Sequence, residues 1–141
     1  MTFGLFGIGA ALALAAFGSA LGAGAAGMSA IGAWKKCYTQ NRPAPFTLIT
    51  FVGAPLTQTI YGYILMNTLL ASTSPDWLIL GAGIFGGAAM GASAFMQGKA
   101  GAAAADALAE TGKGFGNYMM ILGLVETVAL FVMVFLMGAM A

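Results

Sequence analysis

The sequence predicts an all-α membrane protein with four transmembrane helices arranged as two tandem hairpins, and three observations lead to that fold class. Charged residues make up only 6% of the 141 residues, whereas a soluble domain carries about 25%. Four apolar runs each reach the roughly 20 residues that a helix needs to cross a bilayer. The second half of the chain also repeats the layout of the first half. A soluble enzyme is therefore disfavoured.

Three polar breaks separate the four apolar runs, and each break contains the charge, Pro, Gly or Ser that is typical of turns. The runs are Phe3–Trp34, Phe46–Leu70, Trp77–Ala105 and Phe115–Met140. The breaks are Lys35–Pro45, Ala71–Asp76 and Asp106–Gly114. Because no Lys or Arg precedes the first run, it lacks the basic start of a secretory signal and is predicted to be a retained helix.

The basic residues predict which side of the membrane each break occupies. Lys35, Lys36 and Arg42 lie in the first break, Lys113 lies in the third, and Lys99 comes shortly before the third. The second break and both termini contain neither Lys nor Arg. The positive-inside rule then puts loops 35–45 and 106–114 in the cytoplasm and both termini outside.

The repeat divides the chain into a first hairpin of residues 1–72 and a second hairpin of residues 73–141. At a shift of about 68 residues, the segment from Leu56 to Ile60 aligns with the segment from Leu124 to Val128. Both hairpins run in the same direction, so the repeat is parallel rather than inverted. The second hairpin carries Glu126 where the first carries Gln58.

The first and third runs are rich in Gly, Ala and Ser, and include Gly18-x-x-x-Gly22 and Gly87-x-x-x-Gly91. Small residues let helix backbones approach closely inside a membrane. An ordinary four-helix bundle would need one small-residue face, but here small residues surround both helices. We therefore predict that these two helices form the crowded inside of a ring assembly and that the bulkier second and fourth face lipid.

Glu126 lies in the middle of the fourth run, where an ionisable side chain costs about 2.5–3.5 kcal/mol and is expected to face protein and to have a function. The other notable polar residues at depth are Thr57, Gln58, Tyr61 and Gln97. The spacing of Thr57 and Gln58 from Tyr61 puts these three on one helix face. Counted from the outer ends of the runs, Gln58 and Glu126 differ in depth by ~3 Å, while Gln97 lies ~8–9 Å deeper and meets the others only if the third helix protrudes or tilts.

These residues supply one carboxylate, two amide oxygens and a hydroxyl. Pro55 adds a free backbone carbonyl near Phe51, because proline has no N–H to donate, and irregular backbone at membrane depth is tolerated where it lines a site. Hard cations prefer such all-oxygen ligands, and a single negative charge suits Na⁺. The chain has no histidine and a net charge of only +1, so it offers neither imidazole chemistry nor a basic face for nucleic acid.

Two simpler interpretations remain open at this point. A proton site needs only Glu126 and a hydrogen-bonding neighbour such as Tyr61, although it leaves both glutamines without a role. Alternatively, the polar residues join helices together, at about 0.6 kcal/mol each, and Glu126 stays protonated as one more donor.

Several segments taken together resemble a known family. The segments are Ala54-Pro55-Leu56-Thr57-Gln58-x-x-Tyr61-Gly62, Gln97-Gly98-Lys99 and Val125-Glu126-Thr127. With the duplicated hairpins, their order resembles the rotor-ring proteolipid (c/K type) of bacterial sodium-pumping V-type ATPases. The resemblance implies that Na⁺ is held by Glu126, Gln97, Gln58, Thr57 and the backbone carbonyl of Ala54, and that Tyr61 hydrogen-bonds the glutamate. The missing N–H of Pro55 points to the carbonyl of Phe51 instead.

The resemblance also implies the partners and the location. Identical copies would form a ring in the plasma membrane and turn against a stator protein that carries an arginine, with central-stalk subunits at the cytoplasmic loops. ATP hydrolysis would occur in other subunits, so this chain would translocate ions without being catalytic itself. The alternatives are a proton-translocating V/A-type rotor proteolipid and, more distantly, a small four-helix cation or drug exporter. Those exporters carry their glutamate in the first helix and lack the duplication.

Overall fold

The computed structural model describes residues 2–140, and helices make up most of this part of the chain. The helices are α1 (Gly4–Thr39), α2 (Leu48–Gly53), α3 (Thr57–Ala71), α4 (Asp76–Thr111) and α5 (Phe115–Ala139). A 3₁₀ turn, Ala54–Leu56, joins α2 to α3 into one continuous span from Leu48 to Ala71. Within residues 2–140, four helices are long and apolar enough to cross a membrane. The predicted fold class is thereby confirmed.

Helices α1 and α4 are longer than the apolar runs predict. Each has 36 residues, or ~54 Å at 1.5 Å per residue, against about 30 Å for a bilayer core. The predicted breaks at Lys35 and Asp106 are therefore wrong as helix ends. Charged residues do not stop a helix once it has left the bilayer. Helix α4 ends only at Thr111, and the next residue, Gly112, has the left-handed φ of +66° that favours glycine.

Helices α1 and α4 pack against each other along most of their length, and glycines allow their backbones to approach. A Cβ atom added at Gly18 would overlap the backbone of Gly91, and one added at Gly98 would overlap the backbone of Gly22. The hydroxyl of Ser29 donates to the carbonyl of Ala102 at 2.6 Å across the same contact. This close packing is what small residues provide where burial of apolar surface gives no driving force.

Helices α3 and α5 cover one side of this pair and leave much of their own surface exposed. Gly62 of α3 packs against Ala15 of α1, at 2.6 Å from an added Cβ atom. The buried residues of α5 form a narrow stripe of Leu122, Ala129 and Met133. The bulky residues of α5 thus point mainly away from the bundle.

The two loops predicted to be cytoplasmic meet at one end of the bundle. Lys36 Nζ lies 3.1 Å from Glu110 Oε2. The Arg42 guanidinium donates to the carbonyl oxygens of Ala109 and Glu110, at 3.5 Å and 3.3 Å. Because these carbonyls belong to the last turn of α4, Arg42 satisfies groups that the helix leaves without a partner and also complements the helix dipole.

Two apolar clusters fill the bundle, one towards each end. Ala11, Ala15, Leu65, Leu69, Ile79, Ala82, Met90, Ala129, Met133 and Met140 form the cluster towards the predicted outer end. Ala30, Ala33, Leu48, Phe51, Ala104, Ala105, Leu108 and Leu122 form the cluster towards the predicted cytoplasmic end. On every spanning helix a gap of several residues separates the two clusters, and polar side chains occupy this layer.

Candidate functional site

The 3₁₀ turn around Pro55 positions the first part of the polar layer. The hydroxyl of Thr57 lies 3.0 Å from the carbonyl oxygen of Ala54 and 3.1 Å from Gln58 Oε1, so its one proton can be donated to either. The carbonyl of Phe51, which loses its helical donor to Pro55, faces α4, where it would lie 2.9 Å from a Cβ atom added at Gly101. The sequence offered the carbonyls of Ala54 and Phe51 as possible backbone ligands of an ion. Of these two, the carbonyl of Ala54 lies in hydrogen-bond contact with Thr57, which is itself a predicted ligand.

Gln97 on α4 joins the other two helices of the layer. Its Oε1 accepts from Gln58 Nε2 at 2.8 Å. Its Nε2 donates to Glu126 Oε2 at 3.0 Å and to the carbonyl of Leu122, also at 3.0 Å. Both glutamines are fully buried. The Gln97 amide therefore uses both of its N–H donors and its oxygen within the layer.

Glu126 lies on the packed stripe of α5, between Leu122 and Ala129, and remains partly exposed at the edge of the bundle. Tyr61 donates its hydroxyl to Glu126 Oε1 at 2.8 Å. Since Gln97 occupies Oε2, both carboxylate oxygens accept a hydrogen bond from a neighbouring helix. Hydrogen bonds to an ionised acceptor are roughly twice as strong as neutral ones, so this arrangement suits a carboxylate.

Sequence reasoning missed Ser93, which lies one helical turn before Gln97. Ser93 is buried, accepts from Gln58 Nε2 at 3.4 Å and donates to the carbonyl of Val125 at 2.9 Å. Its i, i+4 spacing from Gln97 places it on the same helix face, and this spacing is the signal that could have found it. Ser93 links the Gln58 side chain to the backbone of α5.

The five side chains predicted from the sequence, Thr57, Gln58, Tyr61, Gln97 and Glu126, form one connected network. Counted from the outer ends, Gln97 lies ~8–9 Å deeper than Glu126, yet the two side chains meet, with Gln97 Nε2 3.0 Å from Glu126 Oε2. Side chains lean towards the N-terminus of their own helix, and α4 and α5 run in opposite directions, so Gln97 and Glu126 reach towards each other. Gln97 Nε2 also donates to the carbonyl of Leu122, which lies one turn deeper on α5 than Glu126.

The donor set of this network is compatible with a hard monovalent cation. The oxygens of Glu126, Gln97, Gln58 and Thr57 lie within one hydrogen-bonded chain, and the layer carries one ionisable carboxylate. A 180° rotation of an amide exchanges its oxygen and nitrogen, which would turn the Gln97 oxygen towards Glu126. Carboxylate and amide oxygens are the ligands that hard cations prefer.

These features define a class of protein: a multi-pass helical membrane protein whose spans enclose a polar layer built around one carboxylate. Comparison with known proteins narrows that class. Residues 80–137 match the C-subunit family of ATP synthases. This matched region includes Ser93, Gln97 and Glu126.

The chain is also similar to the K subunit of the A-type ATP synthase of Methanocaldococcus jannaschii, to which it is 36% identical over 134 residues. The alignment covers 93% of this chain and 58% of the archaeal protein. The chain therefore spans a little over half the length of that relative. The two comparisons support the resemblance to proteolipids of the c/K type, which is the part of the prediction that concerns the family and not the ion.

Proposed function

We propose that this chain is a rotor-ring subunit of an A- or V-type ATP synthase or ATPase, and that it carries Na⁺ across the membrane bound at Glu126. The observation that carries the proposal is the polar layer itself. A partly exposed carboxylate at mid-span is hydrogen-bonded by Tyr61 and Gln97 from two other helices, with Gln58 and Thr57 behind them. The family match and the similarity to the archaeal protein support the rotor-subunit part of the proposal.

The exposure of Glu126 explains how ion binding would control rotation. A bare carboxylate at membrane depth is costly to bring into contact with lipid. Na⁺ bound to Glu126 makes the site neutral, so an occupied protomer can pass through lipid whereas an empty one is held back. An arginine on a stator protein would pair with the emptied Glu126 and promote release of the ion. Moving one charge against 100 mV costs about 2.3 kcal/mol, which ATP hydrolysis in other subunits would supply.

The further partners follow from the resemblance to rotor-ring proteolipids. Identical copies would contact one another in a ring, with the small-residue pair α1 and α4 on the inside and α3 and α5 towards lipid. The end of the bundle where Lys36, Arg42 and Glu110 meet would face the cytoplasm and contact the central stalk. In a bacterial cell, the membrane would be the plasma membrane.

Na⁺ is favoured over a proton by the neutral part of the layer. A proton on Glu126 needs one acceptor or donor beside it, and Tyr61 already supplies that contact. Gln58 and Thr57 do not touch the carboxylate, yet Gln58 is fully buried and lies in hydrogen-bond contact with Thr57, Ser93 and Gln97. A cation with several oxygen ligands would bind the oxygens of Gln58 and Thr57, whereas a proton on Glu126 would leave both residues without a role in binding.

Labelling with a carboxyl-reactive carbodiimide tests the proposal in membranes that contain the assembled complex. We expect labelling of Glu126 to slow as Na⁺ is added and to be unaffected by the same concentration of K⁺. Gln58→Ala should shift the protecting Na⁺ concentration upwards, because it removes one amide oxygen. The Glu126→Gln variant gives the background from the other carboxylates, which include the exposed Glu110.

Two results would contradict parts of the proposal. Labelling that ignores Na⁺ but changes with pH would identify a proton-translocating rotor proteolipid. Gln58→Ala that leaves Na⁺ protection unchanged would show that the glutamines join helices and do not bind the ion.

A further inference from the structure

Ser19 on α1 stands apart among the buried polar side chains of residues 2–140. It is 2% exposed, like Gln58, Ser93 and Gln97, which are between 0% and 6% exposed. Gln58, Ser93 and Gln97 are all hydrogen-bonded, whereas Ser19 Oγ has no hydrogen-bond partner among residues 2–140. A serine inside a helix ordinarily bonds the carbonyl one turn back, and an unpaired buried hydroxyl costs free energy. Its presence therefore calls for a functional explanation.

The packing of α1 against α3 determines the level at which Ser19 lies. Ala15 packs against Gly62, and Gly22 packs against Pro55. Since α1 and α3 run in opposite directions, residues that stand level have numbers with a constant sum, and both pairs give the same sum. The residue of α3 that gives this sum with Ser19 is Gln58, so these two residues stand level.

The two apolar clusters place both Ser19 and Gln58 in the gap that separates the clusters. On α1, Ser19 lies between Ala15 of the outer cluster and Ala30 of the cytoplasmic cluster. Gln58 lies between Phe51 and Leu65 in the same way. Ser19 follows Gly18, which packs on α4, and at 100° per residue its side chain is turned from there towards α3. Ser19 of α1 thus lies in the polar layer, at the level of Gln58 and on the side of α1 that faces α3.

The chemistry of ion binding supplies the partner that Ser19 lacks. In the hydrogen-bonded chain, the two N–H groups of Gln58 reach Gln97 Oε1 and Ser93 Oγ. A cation that takes the Gln97 oxygen as a ligand removes that acceptor. One N–H of Gln58 then needs a new one, and a buried donor without an acceptor is unfavourable. The hydroxyl of Ser19 lies at the level of Gln58 with its acceptor capacity unused.

We propose that Ser19 is a positioning residue of the ion site: its hydroxyl accepts an N–H of Gln58, directly or through one buried water, when the ion is bound. The proposal rests on the proposed function, because it concerns the Na⁺-loaded state. Ser19 does not touch the ion. It holds the Gln58 amide with its oxygen towards the ion. Its hydroxyl is unpaired only in the ion-free state, so the free-energy cost of the unpaired group destabilises that state relative to the ion-bound state.

The Ser19→Ala variant of the assembled complex tests this role through two measurements. We expect the Na⁺ concentration that half-protects Glu126 from carbodiimide to rise by about three- to tenfold, the range for one hydrogen bond. We also expect the melting temperature without Na⁺ to be unchanged or higher, because the variant removes an unpaired buried hydroxyl. The rise in melting temperature on adding Na⁺ should be smaller than in the wild type. A residue with a purely structural role would not separate the two states in this way.

Ser29→Ala is the matched control, because Ser29 lies on the same helix and its hydroxyl bonds the carbonyl of Ala102, with no hydrogen bond to the side chains around Glu126. It should lower the melting temperature with and without Na⁺ equally and leave the half-protecting concentration unchanged. If Ser19→Ala protects like the wild type, the role of Ser19 is refuted while the proposed function stands. If Na⁺ fails to protect even the wild type, the proposed function is refuted and the role of Ser19 with it.

Discussion

Tyr61 and Tyr63 show how strongly position determines the use of a side chain. They lie two residues apart on α3, so they point to different sides of the helix. Tyr61 is partly buried and donates to Glu126 at 2.8 Å, whereas Tyr63 is 53% exposed on the outer surface. The same hydroxyl group is a contact of the candidate site in one case and a surface group in the other.

Replacing Tyr61 by Phe should therefore weaken ion binding. The substitution keeps the ring and removes one donor to a charged acceptor, a bond worth about 1.5–3 kcal/mol. Because Glu126 is partly exposed, we expect the lower end of this range, or about a tenfold higher Na⁺ concentration for half-protection from carbodiimide. Tyr63→Phe is the control and should behave as wild type. Equal effects of the two substitutions would argue against a role for the Tyr61 hydroxyl at the site.

At the scale of helices, the contact between α1 and α4 determines which residues of the polar layer stand level. The backbone of Gly18 meets that of Gly91, and the backbone of Gly22 meets that of Gly98. Two helices that touch by backbone cannot slide past each other without separating. The close contact thus holds Gln97 at its level relative to α1, and α5 follows through the bonds from Gln97 to Leu122 and Glu126.

Gly18→Ala should disturb this contact and lower the stability of the assembled complex. The added methyl group has no room against the Gly91 backbone, and overpacking of this kind typically costs about 1–3 kcal/mol. We expect a lower melting temperature and less of the detergent-resistant oligomer, whose mass should be many times the 14.2 kDa of one chain.

Gly116→Ala makes the same chemical change where no other atom lies within 4 Å of the new methyl group. It should be neutral or slightly stabilising, because alanine favours a helix over glycine by roughly 0.5–1 kcal/mol. Similar losses for both variants would mean that the contact between α1 and α4 is not tight. A wild-type mass of only two chains would contradict the ring and favour a dimeric exporter.

On the scale of the whole molecule, basic residues gather at one end of the bundle. Lys36 and Arg42 contact the last turn of α4, and Lys113 follows that turn in the chain. The turn between α3 and α4 lies at the opposite end and contains no Lys or Arg. The positive-inside rule then predicts one orientation in the membrane.

Cysteine accessibility tests this orientation in a Cys37→Ala background. Thr73→Cys and Gln40→Cys place a thiol at exposed positions on opposite ends of the bundle, and neither removes a charge. A maleimide that cannot cross membranes should label Thr73→Cys in right-side-out vesicles and Gln40→Cys in inverted ones. The reverse pattern would overturn the predicted orientation, whereas labelling of both in one preparation would indicate leaky vesicles or mixed topology.

The sequence alone determined the four membrane-length helices and the polar residues around Glu126. Both depend on local properties. Apolar runs of sufficient length are forced to be helical in lipid, because every backbone polar group needs an internal partner there. A carboxylate in such a run stands out by its cost, and the i, i+3 and i+4 spacings put Thr57, Gln58 and Tyr61 on one face without knowledge of the other helices.

Only the tertiary structure decided the helix ends, the level of Gln97 and the places of Ser93 and Ser19 in the polar layer. Helical hydrogen bonds continue past Lys35 and Asp106, because a charged residue outside the bilayer costs the helix little. The offset between two helices depends on where their surfaces meet, as at Gly18 and Gly91 for α1 and α4, and no property of a single segment encodes it. The offset between α4 and α5 brings Gln97 into contact with Glu126. The packing of α1 leaves the hydroxyl of Ser19 buried without a partner among residues 2–140.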